Sequence, residues 1–324
     1  MNMKAAFIFP GQGSQKIGMG KELYDKFPES KAVFEEANTA VEIDLIDLIF
    51  NGPAEELLKT EFAQPAILTV SIAAYEAFRT RCNLEPSYLA GHSLGEFSAL
   101  VVSGALDLKD AVRLVNKRGQ YIQEAVPLNE GGMAALLGGD LMQIGKMITD
   151  IGLDGCIEIA NFNSPDQIVI SGEASLIQEA MKRASEYGIK KAIPLKVSAP
   201  FHSRMMDPAR EKFEKELAVT NFKPMLYPVV SNADGVPNQD YSELPDILAE
   251  QIANAVLWDQ SIRLMLSEGI NLFIEFGPTV LMPMVKRGYG DIGEFDIYAV
   301  SNPDQLRDTL AALKEKGAEV TDSE

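Results

Sequence analysis

Histidine is nearly missing from this chain. His92 and His202 are the two in 324 residues, so chemistry that needs an imidazole has two candidates. Cysteine is as scarce. Cys82 and Cys156 stand far apart and outside any C-x-x-C pattern. That argues against a disulfide framework and a cysteine zinc site, and it fits a reduced, cytoplasmic setting. No apolar run reaches the ~18 residues of a membrane span. The opening Met1-Asn2-Met3-Lys4 lacks the apolar core of a secretory signal. Positive charge is short as well: 29 Lys and Arg against 47 Asp and Glu give a net charge of -18. With no basic stripe to offset that field, nucleic acid is not an expected partner. An acidic protein partner would need a local basic cluster. Lys117-Arg118, Lys182-Arg183, Lys190-Lys191 and Lys286-Arg287 are candidates, and each taken singly reads more simply as a solvated face. Internal repeats and low-complexity tracts are lacking too. The length suits one large domain or two, with a substantial core.

What is there centres on Gly91-His92-Ser93-Leu94-Gly95, a G-x-S-x-G nucleophile elbow. Ser87-Tyr88-Leu89-Ala90 before it reads as a short buried strand. Leu94, Phe97 and Val101 after it recur as on one helix face. Glycine on either side lets strand and helix pass close to a strained serine. The plainer alternative is a tight strand-to-helix turn with an incidental serine.

Ahead of the elbow, Ala5–Phe9 reads as a first buried strand, followed by the loop Pro10-Gly11-Gln12-Gly13-Ser14-Gln15. Neither the dinucleotide fingerprint nor the Walker loop fits it: Gly18 comes too late for the first, and Met19-Gly20 replaces Lys-Ser/Thr in the second. The loop still lies where open parallel sheets bind ligands, beyond a strand's carboxyl end. Helices are expected around Lys21–Ala40, Pro53–Leu58 and Gln64–Phe78. Gly104 stops the elbow helix, and Asp107 is placed to cap the next. On that helix Arg118 falls three after Val115 and four before Ile122, on the apolar stripe. Burying a guanidinium unpaired costs several kcal/mol, so Arg118 needs an anion, from a substrate or from the protein. Spacing alone slightly favours a structural ion pair, or a head that snorkels to solvent.

From Gly131-Gly132 the rhythm changes. Strand Met133–Leu137, helix Leu141–Ile151, strands Cys156–Asn161 and Gln167–Ser171, helix Ser175–Tyr187 and strand Ala192–Val197 follow in order. That is β-α-β-β-α-β, a ferredoxin-like unit, closed by Ser198-Ala199-Pro200. The expected architecture is α/β: a hydrolase-like body with a parallel sheet, residues 1–130 and 199–324, and an inserted subdomain, residues 131–198. A cleft between them would suit a ligand. Past the insertion, Asp207 and Pro208 fit N-cap and N1 of a helix. A further helix carries Gln251, Asn271–Phe276 reads as a late buried strand, and the polar tail from Gly317 is expected to fray.

A serine hydroxyl needs a base near neutral pH. His92 adjoins Ser93, and at an elbow the neighbouring side chain points away from the nucleophile. That leaves His202, on a loop, by elimination. The third member is open. No carboxylate between Ser93 and His202 follows a body strand convincingly. Glu275 comes later, inside an apolar strand, where a structural role is equally open, and a backbone carbonyl could also fix the imidazole. An oxyanion hole would use the N–H of Leu94 and a donor from another loop, which Gln12 could supply.

These residues resemble the malonyl-CoA:acyl carrier protein transacylase family. The likeness runs through Phe9-Pro10-Gly11-Gln12-Gly13-Ser14-Gln15, Gly52–Leu57, Gln64-Pro65-Ala66, Gly91–Glu96, Asn161-Phe162-Asn163-Ser164-Pro165 and Phe276-Gly277-Pro278. It extends from about Ala5 to Arg287. The resemblance implies Ser93 as the residue that becomes malonylated and His202 as its base. It implies the backbone carbonyl of Gln251 as the group that orients the imidazole, and the backbone N–H groups of Gln12 and Leu94 as the oxyanion hole. Arg118 matches the arginine that pairs with the malonyl carboxylate, which reverses the reading from spacing. Malonyl-CoA and acyl carrier protein are the implied partners. No cofactor or metal is implied, since the CoA thioester is itself the substrate. Ala199-Pro200-Phe201 departs slightly from the pattern, at a position that varies with extender unit. Rival readings are a serine esterase or thioesterase, a stand-alone polyketide acyltransferase, or a non-catalytic binding subunit.

Overall fold

The computed structural model describes residues 3–127, 129–152, 156–197 and 199–321. Met1 and Asn2, Ser198 of the expected closing turn and residues 322–324 of the tail lie outside these. Six strands form the larger sheet, in the order β10-β9-β1-β2-β7-β8. They are β1 (Ala5–Phe9), β2 (Pro86–Gly91), β7 (Val229–Val230), β8 (Pro237–Asn238), β9 (Leu272–Phe276) and β10 (Asp296–Val300). All pairings are parallel except β7 with β8. Parallel strands covered on both faces read as unbroken apolar runs, and Ala5–Phe9 is buried at every position. Phe7 and Phe9 point into a core with Phe78 and Phe276, while Ala6 and Ile8 join Trp258 and Phe273 on the other face.

Four strands form the smaller antiparallel sheet, in the order β4-β5-β3-β6. These are β3 (Gly131–Leu137), β4 (Ile157–Ser164), β5 (Gln167–Glu173) and β6 (Lys191–Pro194). Helices Leu141–Ile151 and Ala174–Arg183 cover one face, over Ala134, Leu136, Ile157 and Ile170. The β-α-β-β-α-β order is the expected one, with bounds shifted by a few residues and β6 ending early, at Pro194.

Several local expectations need correction. The stretch Lys21–Ala40 is two helices, Lys21–Lys26 and Pro28–Asn38. Phe27 before Pro28 takes the extended conformation that a proline imposes on its predecessor. The third expected helix starts earlier and runs Thr60–Arg79 with Pro65 inside. Pro65 has no N–H for the Glu61 carbonyl four residues back, and Asn116 Nδ2 donates to that carbonyl instead, at 2.8 Å. Asp107 stands at the N-cap of helix Leu108–Ala125, yet its side chain makes no cap bond. Its carboxylate accepts from Lys223 Nζ at 2.6 and 2.7 Å. Asp207 and Pro208 fall one place later than expected, because helix Asp207–Val219 has Met206 at its N-cap. The tail does not fray at Gly317. Val320 bridges to Cys82, and Thr321 N–H donates to the Arg81 carbonyl at 2.9 Å. Among the described residues no helix is long and apolar enough to cross a membrane.

Candidate active site

Register brings the first loop to the elbow. Phe9 pairs with Gly91 across β1 and β2, so both chains leave the sheet at the same edge, and His92 N–H donates to the Phe9 carbonyl at 3.0 Å. Strand, serine and helix then meet in a space that admits no Cβ. One added at Gly91 would lie 1.8 Å from the Gly95 carbonyl carbon, and one at Gly95 would lie 2.1 Å from the Phe9 oxygen. Ser93 has φ of 51°, a left-handed conformation that costs a non-glycine residue about 1–3 kcal/mol. The strain is offset locally. Ser93 N–H donates to Asn232 Oδ1 at 2.6 Å, and Asn232 Nδ2 donates back to the Gly91 carbonyl at 2.7 Å.

His202 reaches this serine from 109 residues away. Its Nε2 lies 2.8 Å from Ser93 Oγ. Its Nδ1 faces two backbone carbonyls, Gln251 at 2.9 Å and Asn254 at 3.2 Å. A carbonyl only accepts, so the proton sits on Nδ1 and the bare Nε2 faces the hydroxyl. Glu275 is not in this group. Its carboxylate accepts from the N–H groups of Val280, Leu281 and Met282, all at 2.8 Å, and so caps helix Leu281–Tyr289. His92 turns away, as expected: its Nε2–H donates to Asn163 Oδ1 at 2.8 Å, and its ring packs on Trp258.

Arg118 is 1% exposed. Neither alternative suggested by spacing holds: the head does not snorkel out, and no carboxylate pairs with it among the described residues. Its partners are neutral. Nη1 donates to Gln64 Oε1 at 2.9 Å, and Nη2 donates to Gln251 Oε1 at 3.0 Å and to Ser93 Oγ at 3.3 Å. The buried Nε has no hydrogen-bond partner among the described residues. Gly119 lets this helix approach Thr60–Arg79 closely, since a Cβ there would lie 2.5 Å from Glu61 Cα. A cavity of about 190 Å³ opens over the three groups. Gln12, Gln64 and Leu94 line one side of it, and Met133, Asn161 and Val169 of the smaller sheet line the other.

A serine, an imidazole and a buried cation without a carboxylate partner among the described residues, at one strand-end cavity, suit the transfer of an anionic acyl group through the serine. The comparisons agree. Residues 6–313 match the acyl transferase domain family. The malonyl CoA-acyl carrier protein transacylase of Bacillus subtilis (strain 168) is 46% identical over 317 residues, covering 97% of this chain and 98% of its own. This chain belongs to the malonyl-CoA:acyl carrier protein transacylase family. Among solved structures, the transacylase from Clostridium perfringens has a TM-score of 0.91 at 40% identity, over 97% of this chain and 98% of its own. A type II PKS acyl-carrier protein in complex with its malonyl-transacylase contains a chain with a TM-score of 0.91 at 36% identity, covering 95% and 99%.

Within this transacylase the electrostatics follow from burial. Desolvation, then the Arg118 charge, push His202 down to about 3, so the imidazole is neutral. Desolvation also pulls Arg118 down to about 10, still charged at neutral pH. Glu96 is 1% exposed, and burial pushes its carboxyl up to about 7 against hydrogen bonds from Gln251 and Asn232. The sequence reading placed Ser93, His202, Arg118, Gln12, Leu94 and the Gln251 carbonyl, and the fold brings all six together. It missed Gln64, Asn232, Asn254, Asn163 and the side chains of Glu96 and Gln251. Glu96 lies within the family-like stretch Gly91–Glu96, and Asn232 follows the two-residue strand β7, too short to leave a periodic signal. Among the described residues no cluster of His, Cys, Asp and Glu is set to hold a metal.

Proposed function

We propose that the protein transfers a malonyl group from malonyl-CoA to the pantetheine thiol of acyl carrier protein, supplying fatty acid synthesis in the cytoplasm, with no cofactor. His202 Nε2 takes the Ser93 proton as Oγ attacks the thioester carbonyl. Charge on the tetrahedral oxygen falls to the N–H groups of Gln12 and Leu94, neither of which makes another backbone hydrogen bond among the described residues. Collapse expels the CoA thiolate, which takes the proton from His202 and leaves malonyl-Ser93. The carrier thiol then attacks that ester with His202 as base, and Ser93 leaves with the proton. The backbone carbonyl of Gln251 keeps the imidazole turned for both steps.

Arg118 grips the free carboxylate of the acyl group. The observation that carries this reading is a guanidinium 1% exposed, 3.3 Å from the reacting hydroxyl and paired with no carboxylate among the described residues. An acetyl group would leave it unpaired, a loss of about 3–5 kcal/mol in such sites. Pairing with malonyl also offsets the Arg118 charge, the second-largest of the causes that depress His202, so the base strengthens when a carboxylated substrate is bound.

Intact-mass spectrometry with malonyl-CoA tests the route. An adduct of malonyl mass on Ser93, missing in Ser93→Ala and discharged by holo acyl carrier protein, is expected. Free malonate released without any carrier would make the protein a thioesterase instead.

A further inference from the structure

Three parts of the site converge on one side-chain amide. Gln251 Nε2 donates to the Ser93 carbonyl at 3.0 Å and to Glu96 Oε2 at 2.7 Å, while its Oε1 accepts from Arg118 Nη2 at 3.0 Å. The Ser93 carbonyl only accepts, Glu96 Oε2 already accepts from the Asn232 N–H, and a guanidinium only donates. The amide can therefore sit one way round. Glu96 is the fixed end of this relay. It is buried, it stands one residue inside the elbow helix Gly95–Val102, and the same Oε2 takes the Asn232 N–H at 3.1 Å. Asn232 in turn holds the Ser93 N–H.

We propose that Glu96 is a positioning residue for substrate choice: through the Gln251 amide it aims Arg118 at the acyl carboxylate and so sets the preference for a carboxylated acyl chain. Glu96 can act this way only if Arg118 grips that carboxylate, as proposed above. A carboxylate at this place keeps NH₂ of Gln251 toward the helix and its carbonyl toward the guanidinium. Both donors, the Asn232 N–H and the Gln251 NH₂, meet the same Glu96 oxygen, so a side chain with no acceptor there leaves the Gln251 NH₂ held by the Ser93 carbonyl alone. An amide held at one point swings, its carbonyl leaves Arg118 Nη2, and the guanidinium moves off its line to the substrate.

The test is the rate at which malonyl-CoA and acetyl-CoA acylate Ser93, read by intact mass. Wild type is compared with Glu96→Met, Gln251→Met, Arg118→Ala and the double variant Glu96→Met/Arg118→Ala. Met keeps about the length of Glu96 and removes its acceptor, and Met at 251 keeps the backbone carbonyl for His202. In Glu96→Met and in Gln251→Met the malonyl-to-acetyl rate ratio should fall at least about tenfold, and in the Arg118→Ala background Glu96→Met should change the ratio little, as expected for coupled residues. Equal losses for the two thioesters, or a Glu96→Met effect on the ratio undiminished when Arg118 is gone, would overturn the proposal. If Glu96→Met does not fold, Gln251→Met against Arg118→Ala decides alone. An Arg118→Ala ratio equal to wild type would instead sink the carboxylate-gripping role, and the Glu96 role with it.

Discussion

At the scale of single residues, the site depends on burial acting differently on three titratable groups. His202 loses basicity, Arg118 keeps its charge and Glu96 is left near the edge of ionisation. The consequence for pH is specific. An imidazole held at about 3 is the neutral base down to well below its ordinary 6.5. Its folded-state value is depressed, so the unfolded chain takes up the proton first. His202 therefore contributes stability above 6.5 that is lost as pH falls toward 3. Modification of Ser93 by an uncharged fluorophosphonate should accordingly stay fast on the acid side, with a midpoint well below 6.5. Glu96 titrates nearer 7, so the profile is also measured in Glu96→Gln. An acid limb at the ordinary histidine value that survives this substitution would contradict the environment assigned to His202. The sequence named this histidine by scarcity alone. It could not show Glu96 or Asn232 in their roles, because those roles consist of contacts made across 136 and 139 residues.

At the scale of elements, helix ends and crossings hold the site, and Glu275 shows how. A carboxylate in the middle of a buried strand looks like a catalytic acid in sequence, yet it satisfies three donors at the start of Leu281–Tyr289. Glu275→Ala leaves those N–H groups without their acceptor, and the expected loss is about 2–4 kcal/mol of stability. Burial raises the carboxyl to about 7. Its contribution is thus full below the unfolded value near 4.5 and declines as pH rises through 7. Chemical denaturation should show a larger deficit for Glu275→Ala at pH 5 than at pH 8, with the specific activity of the folded fraction within about twofold of wild type, since nothing that touches Ser93 moves. A deficit that grows with pH would refute the assignment. Strands and helices with a clear period were legible in the sequence, and so was the chain order of the elements that build the smaller sheet. Prolines decided where the reading slipped: Pro28 split one helix, and Pro65 sat inside another because Asn116 takes over the freed carbonyl. β7 and β8, two residues each, have no period to find.

At the scale of the whole molecule, the reacting groups and the cavity wall belong to different sheets. Ser93, His202, Arg118 and Gln251 all lie outside residues 131–194, which build the smaller sheet. Met133, Asn161, Asn163 and Val169 of that sheet face them across the cavity. The seam is held near Asn161, where Phe162 N–H donates to the Val256 carbonyl and Val256 N–H to the Ala160 carbonyl, both at 2.9 Å. The His92–Asn163 bond closes it beside the nucleophile. Asn163→Ala should therefore loosen the wall and leave the serine and its base in register. The expected cost is about 1–2 kcal/mol for a buried imidazole left without its partner, or a Tm lower by about 2–4 °C. In steady-state transfer to acyl carrier protein, KM for malonyl-CoA should rise about three- to tenfold while kcat stays within about threefold. The reverse pattern, kcat falling with KM unchanged, would mean that His92 and Asn163 support the elbow rather than the wall. The smaller sheet would then reach the chemistry through the nucleophile's own strand, and the division between reacting body and binding wall would not hold.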